Sequence, residues 1–244
     1  MGKFKLIPVF PINLLLAIAI IGTFLSSQSN AEGINLWDLE LDKETNEISK
    51  NDFKSWMDRK DFESFRYLFF ERDPKNWRIV LCVNNKDFCL VMEDRKSSSH
   101  ILKKLNNPIP LSDNINLVME FMVEVWPERT DLAKKDKEDA ALRIFLTADL
   151  DGRNAHIGFA VTRDHEPGQN VASQRKPKEI KYIALPVNTT DEKVWQRLST
   201  PIAASFQKAF GSFEKAEIIA IGLKSDGNNT ASDVKVWLRE LKIK

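Results

Sequence analysis

A chain of 244 residues with 36 Lys and Arg against 35 Asp and Glu has a net charge of +1, which excludes the one-signed field that holds a nucleic acid and leaves no acidic tail. With 43% hydrophobic and 29% charged residues it has the composition of a folded globular protein, not of a disordered one. No metal-spaced pair forms among the three histidines, and no cofactor motif is present, so neither a metal nor a cofactor is expected.

The first residues fall into three regions. Lys3 and Lys5 are basic, Leu14 to Leu25 is almost wholly apolar, and Ser29-Asn30-Ala31 sets small residues before a cut. This is the order of a secretory signal peptide, residues 1–31, cleaved near Ala31. The apolar run is short for a hydrocarbon core that takes about 20 residues to cross, so no stable membrane span is expected after cleavage. An uncleaved anchor is the alternative. The mature protein is then periplasmic or secreted. Residues 32–72 read as a mixed extension and residues 73–244 as one β-sandwich domain.

Trp77–Val83 and Phe88–Met92 read as two strands joined by the turn Asn84-Asn85-Lys86-Asp87. A hairpin symmetric about Asn85 and Lys86 sets Cys82 opposite Cys89. Opposed Cα atoms lie about 4.5–5.5 Å apart, within disulfide range, and an exported protein meets an oxidising compartment. Two buried thiols are the alternative. Two sulfurs without further ligands make no metal site.

Asn114–Trp126 alternates with a period of two. Ile115, Leu117, Met119, Phe121, Val123 and Val125 share one face, and Glu120 and Glu124 lie on the other. Ala140–Ala148, His156–Thr162, Ile180–Pro186 and Ala216–Leu223 are further strand-like runs. Val234, Val236 and Leu238 alternate, and Leu241 and Ile243 then change parity, which predicts a bulge near Arg239. One helix is expected near 200–210: Thr200-Pro201 opens it, Ile202, Phe206 and Phe210 line it, and Gly211 closes it. Asp164–Lys178 is expected to be a long exposed loop. Many strands with little helix between them predict an antiparallel β-sandwich, jelly-roll-like in the style of carbohydrate-binding modules.

Catalytic signatures are weak. Ser99 and His100 are adjacent, so a strand turns them to opposite faces, and no Gly-x-Ser-x-Gly turn is present. Glu120 and Glu124 stand about 13 Å apart along one strand, beyond the separation that paired-carboxylate glycosidases use. They read as a solvated polar face. Arg143 lies inside an apolar strand and needs a partner. Asp139, of the same parity, is expected to form an ion pair with it, and a cross-strand carboxylate is the equal alternative. The loop Ser225–Thr230 gathers Asp226, Asn228, Asn229 and Thr230. It reads as a turn, or as a candidate ligand-binding group. One carboxylate is thin for calcium, so no metal is expected there. Asn188-Thr189-Thr190 and Asn228-Asn229-Thr230 are glycosylation sequons.

A family resemblance follows from these residues. A strand ends near Trp126-Pro127, then come Glu138-Asp139-Ala140-Ala141-Leu142-Arg143, Trp195, Ala209-Phe210-Gly211, and Ile219 to Thr230 with Ser225-Asp226-Gly227-Asn228-Asn229-Thr230. From roughly Asn76 to Lys244 the chain resembles the bacterial family called domain of unknown function 3047. The family's loop carries a second Asp where this chain has Asn228, and aromatic positions before Pro127 are Met119 and Phe121 here. The resemblance implies an exported bacterial β-sandwich. The expected function is a non-catalytic envelope domain that binds a saccharide or another envelope component, with any stacking supplied by some of six Trp residues. The alternatives are a polysaccharide or cell-wall hydrolase and a structural envelope assembly protein.

Overall fold

Period-two alternation sets which side chains face inward, and the strands follow it. The computed structural model describes residues 34–35, 77–81, 88–189 and 193–244, all within the unit Gly33–Lys244. Among the described residues the first five strands are β1 (Ile34–Asn35), β2 (Arg78–Leu81), β3 (Phe88–Arg95), β4 (Ser98–Pro110) and β5 (Asn116–Val125). Next come β6 (Ala140–Leu150), β7 (Arg153–Val161), β8 (Asn170–Ala172), β9 (Ile180–Ala184) and β10 (Gln196–Pro201). Helix α1 (Ile202–Phe210) precedes β11 (Ala216–Asp226) and β12 (Asp233–Ile243). The expected signal peptide lies outside the described residues. So does the expected extension, apart from Ile34–Asn35.

The strands form two sheets. The first runs β10-β5-β12-β3-β2, with β1 added to the end of β12, and the second runs β4-β11-β6-β7-β9-β8. Leu117, Met119, Phe121 and Val123 of β5 and Val236 and Leu238 of β12 meet Leu142, Ile144 and Leu146 of β6, Ile157 and Phe159 of β7, and Ile221 and Leu223 of β11. This shared core makes the fold a β-sandwich. Each such side chain contributes about 1.5–3 kcal/mol by leaving water. In α1, Ile202 and Phe206 are buried, Pro201 precedes the first turn, and Gly211 ends the helix at a φ of 87°. Among the described residues no helix is long and apolar enough to cross a membrane.

Several expectations are refined. The bulge falls where parity predicts it, with a register shift between Leu238 and Glu240 that returns Leu241 and Ile243 to the core. The sandwich is not wholly antiparallel, because β7 and β9 pair in parallel. The excursion over residues 162–179 supplies the crossover that a parallel pair requires. That stretch, expected as a plain loop, also carries β8, which pairs antiparallel with β9. Thr200, expected to open the helix, belongs to β10. The hairpin register differs too: Val80, not Cys82, lies opposite Cys89. A shift of two residues leaves every side chain on its own face, so alternation does not distinguish the two registers. Cys82 lies outside the described residues, and the expected bridge with it.

Candidate functional site

The motif residues that are scattered in sequence meet on the outer face of the second sheet. Along β6, Leu142, Ile144 and Leu146 point into the sandwich, so Arg143 and Phe145 point away from it. Antiparallel pairing with β11 sets Arg143 against Lys224, and a register shift beyond Lys224 brings Asp226 against Ala140. Asp226 Oδ2 accepts from Arg143 Nη1 at 2.6 Å and from Lys224 Nζ at 2.5 Å, with both members of the Arg143–Asp226 pair fully buried. The Arg143 guanidinium lies 5.0 Å from the centre of the Tyr182 ring. Tyr182 in turn meets Phe145 edge-on at 6.4 Å. Gly158 lies between these two in the sheet, and a Cβ there would come within 2.9 Å of Tyr182 and 3.0 Å of Phe145. The missing side chain is what lets both rings lie over the strand.

The Asp139–Arg143 ion pair is therefore corrected. Asp139 sits just before β6, about 13 Å along the chain direction from Arg143. Its carboxylate instead accepts the N–H of Asn229 at 3.2 Å, and the N–H and hydroxyl of Thr230, each at 2.7 Å. The cross-strand carboxylate Asp226 takes the arginine. Glu138 Oε1 accepts from Arg175 Nε at 3.1 Å.

The four loop residues do not share a direction. Asp226 is buried in its ion pairs, Thr230 is held by Asp139 and by Ser232 Oγ at 2.8 Å, Asn229 is half-buried, and Asn228 is exposed. Gly227 fits where no other residue would: a Cβ would lie 2.3 Å from the Ser232 carbonyl oxygen. Its N–H donates to Ser97 O and its carbonyl accepts from Ser232 N–H, at 3.0 and 2.8 Å.

Charge in the cluster is set by burial and by pairing. Burial would raise the Asp226 carboxyl, but Lys224 and Arg143 outweigh it and hold the group below the usual carboxylate range. Burial, and then the neighbouring Asp226 charge, push Asp139 up against the pull of its bonds to Thr230 and Asn229. Burial pushes the Tyr182 hydroxyl up, opposed by Arg143. His100, opposite Lys224 in the register, is lowered to about 4 by burial and by that lysine. Ser99 turns the other way and donates to Asp94 Oδ1 at 2.5 Å, so the adjacent Ser99 and His100 do not act together. Among the described residues no three His, Cys, Asp or Glu are grouped to hold a metal ion.

The outer face of the first sheet is different. Trp77 and Trp126 are buried, whereas Trp195 and Trp237 are half-buried on this one face; Trp37 and Trp56 lie outside the described residues. Trp237 Nε1 donates to Glu124 Oε2 at 2.7 Å, and Lys235 Nζ reaches the same carboxylate at 2.8 Å. Arg239 pairs with both oxygens of Glu120 and lies 4.7 Å from the Trp195 ring centre. Glu120 and Glu124 are thus bound in ion pairs, as expected of a polar face. The sequence reading missed the convergence on Trp195 and Trp237. The signal was there: Lys235, Trp237 and Arg239 alternate opposite to Val234, Val236 and Leu238.

Residues 63–242 match the model of a family described as "Protein of unknown function (DUF3047)". No curated protein matches the sequence. Among solved structures, a family 30 carbohydrate-binding module is 13% identical, with 71% of this chain and 76% of that chain covered and a TM-score of 0.37. A family 12 xyloglucanase from Bacillus licheniformis is 10% identical, with 70% and 87% covered and a TM-score of 0.36. The xyloglucanase domain of a type three effector from Sinorhizobium fredii is 9% identical, with 72% and 94% covered and a TM-score of 0.33. At these scores the likeness carries no argument about ligand or activity.

Proposed function

From the premise that the chain belongs to the DUF3047 family, we propose that it is an exported, non-catalytic domain that binds a saccharide or another envelope component on the outer face of its first sheet. One observation carries this reading: Trp195 and Trp237 are both half-buried on that face, with carboxylates and cations around them. Trp195 immediately precedes β10 and Trp237 lies in β12, the two strands that flank β5. Two strand spacings put them about 10 Å apart across the sheet. Aromatic rings offer apolar faces to sugar rings, and Glu120, Glu124 and Arg239 supply bonds to hydroxyls. The non-catalytic part rests on Glu120 and Glu124: each is taken up in an ion pair, with Arg239 and with Lys235, and four residues of strand set them about 13 Å apart, beyond the separation that paired-carboxylate glycosidases use. The export part rests on Lys3, Lys5, the apolar run and Ser29-Asn30-Ala31.

The test is calorimetry against envelope and extracellular polysaccharide fragments, with Trp195→Ala and Trp237→Ala as variants. Each variant is expected to weaken binding at least tenfold while its thermal transition stays close to wild type. Binding by both variants equal to wild type would refute the location. Mass spectrometry of the protein from its host is expected to find an N-terminus near Glu32, and an intact Met1 would remove the export reading.

A further inference from the structure

We propose that the outer face of the second sheet holds a separate site for a neutral, hydroxyl-bearing ligand, gripped by the guanidinium edge of Arg143. Arg143 is 1% exposed. Its Nη1 is spent on Asp226, but Nε and Nη2 have no partner. Those two N–H groups lie along one edge of the guanidinium plane, and together they form the fork with which arginine makes paired hydrogen bonds. Two acceptors of the same cluster are also unpartnered: Asp226 Oδ1, and Glu138 Oε2 on a residue 4% exposed.

Each buried polar atom left without a partner is costly, and native folds keep few of them. Here two donors and two acceptors occur on three side chains of one cluster, Glu138 standing two residues before Ala140, which pairs with Asp226. Their mixture selects the ligand. A hydroxyl accepts from Arg143 and donates to Asp226 or Glu138 in the same pose. An ionised carboxylate would satisfy the fork but has no hydrogen to give Asp226 Oδ1 or Glu138 Oε2, and a phosphate dianion has none either. A cation would meet the carboxylates but not the fork. The Tyr182 ring, 5.0 Å from the guanidinium, and the Phe145 ring belong to a buried apolar cluster with Leu102, Leu132 and Val171 that closes this side of the group. Entry is by way of Lys224 and Arg175, whose side chains are 18% and 31% exposed and tie to Asp226 and Glu138. Both are long, flexible side chains able to swing outward. The site shares no residue with Trp195 and Trp237.

The experiment follows the Arg143 Nε–H signal by nitrogen-15 NMR in the full protein while D-glucose, D-xylose, D-glucuronate or phosphate is added. Saturable shifts with a neutral sugar, and none with glucuronate or phosphate, are expected. The double variant Trp195→Ala/Trp237→Ala is expected to keep those shifts, which separates this site from the face proposed above. Glu138→Gln leaves Arg143 observable and is expected to weaken the neutral-sugar response at least tenfold. An Arg143 signal that no neutral sugar moves would leave ordered water as the occupant and overturn the proposal. A response to glucuronate or phosphate alone would overturn it as well.

Discussion

Arg143 and Asp226 stand 83 positions apart in the chain, yet their side chains meet at 2.6 Å with almost no exposure to solvent. The pair joins β6 to the end of β11, and the turn that follows is fastened to Asp139. One contact therefore ties together three segments that carry the family's motif.

Asp226→Ala is expected to cost about 3–5 kcal/mol, because it strands Arg143 as a buried cation and takes from Lys224 its partner. Urea unfolding measures this. The double change Arg143→Met/Asp226→Leu is expected to be less damaging than the single one, since the buried guanidinium leaves with its partner and Lys224, 18% exposed, can turn to solvent. A loss well under 1 kcal/mol for Asp226→Ala would show that the carboxylate is not holding the strands together.

Gly227→Ala should lose about 1–3 kcal/mol, because the new Cβ meets a backbone carbonyl at 2.3 Å and backbone does not swing aside. Gly152→Ala is the control. Nothing lies within 4 Å of its Cβ, but its φ of 82° strains any other residue, so about 1 kcal/mol is expected. Equal thermal transitions for wild type and Gly227→Ala would contradict the close approach.

His156 and His100 set a pH dependence. Burial lowers both to about 4 from an unfolded value near 6.5. Between these values the unfolded chain binds the protons that the folded chain refuses. The contribution is full above about 6.5 and is lost as pH falls toward 4. For His156, held against Thr147 Oγ1 at 2.9 Å, it amounts to about 1–3 kcal/mol. Denaturant midpoints measured across that range should fall steadily, and His156→Gln should flatten the slope. A slope unchanged by that variant would remove His156 as its cause.

The bridge between Cys82 and Cys89 goes with the export proposal. Alkylation of the denatured, unreduced protein should label neither cysteine, and both should react after reduction. Labelling of both before reduction would exclude the bridge. Removing it by Cys82→Ala/Cys89→Ala is expected to cost about 2–4 kcal/mol or less, since the loop that it closes is short.

Alternation in the sequence determined which residues of β5 and β12 enter the core, except Val125, which is 38% exposed at the end of β5, and the parity change after Leu238 determined the bulge. Pro201 and Gly211 marked the helix, and the ordered motifs marked the family. The β6–β7 turn was passed over in the sequence, although Asp151-Gly152, whose φ angles are both positive, has residue types that are a common hairpin signal. These are local properties, fixed by side-chain period and backbone preference within a few residues. Only the tertiary structure decided that β11 lies beside β6, that β7 and β9 run parallel, and that Cys89 opposes Val80. It alone gave Asp226, not Asp139, to Arg143, and gathered Trp195 and Trp237 on one face. The physical reason is that period two assigns a side chain to a face but not to a neighbour. Strand order and register are chosen by contacts between distant segments, and a slip of two residues leaves the pattern of faces unchanged.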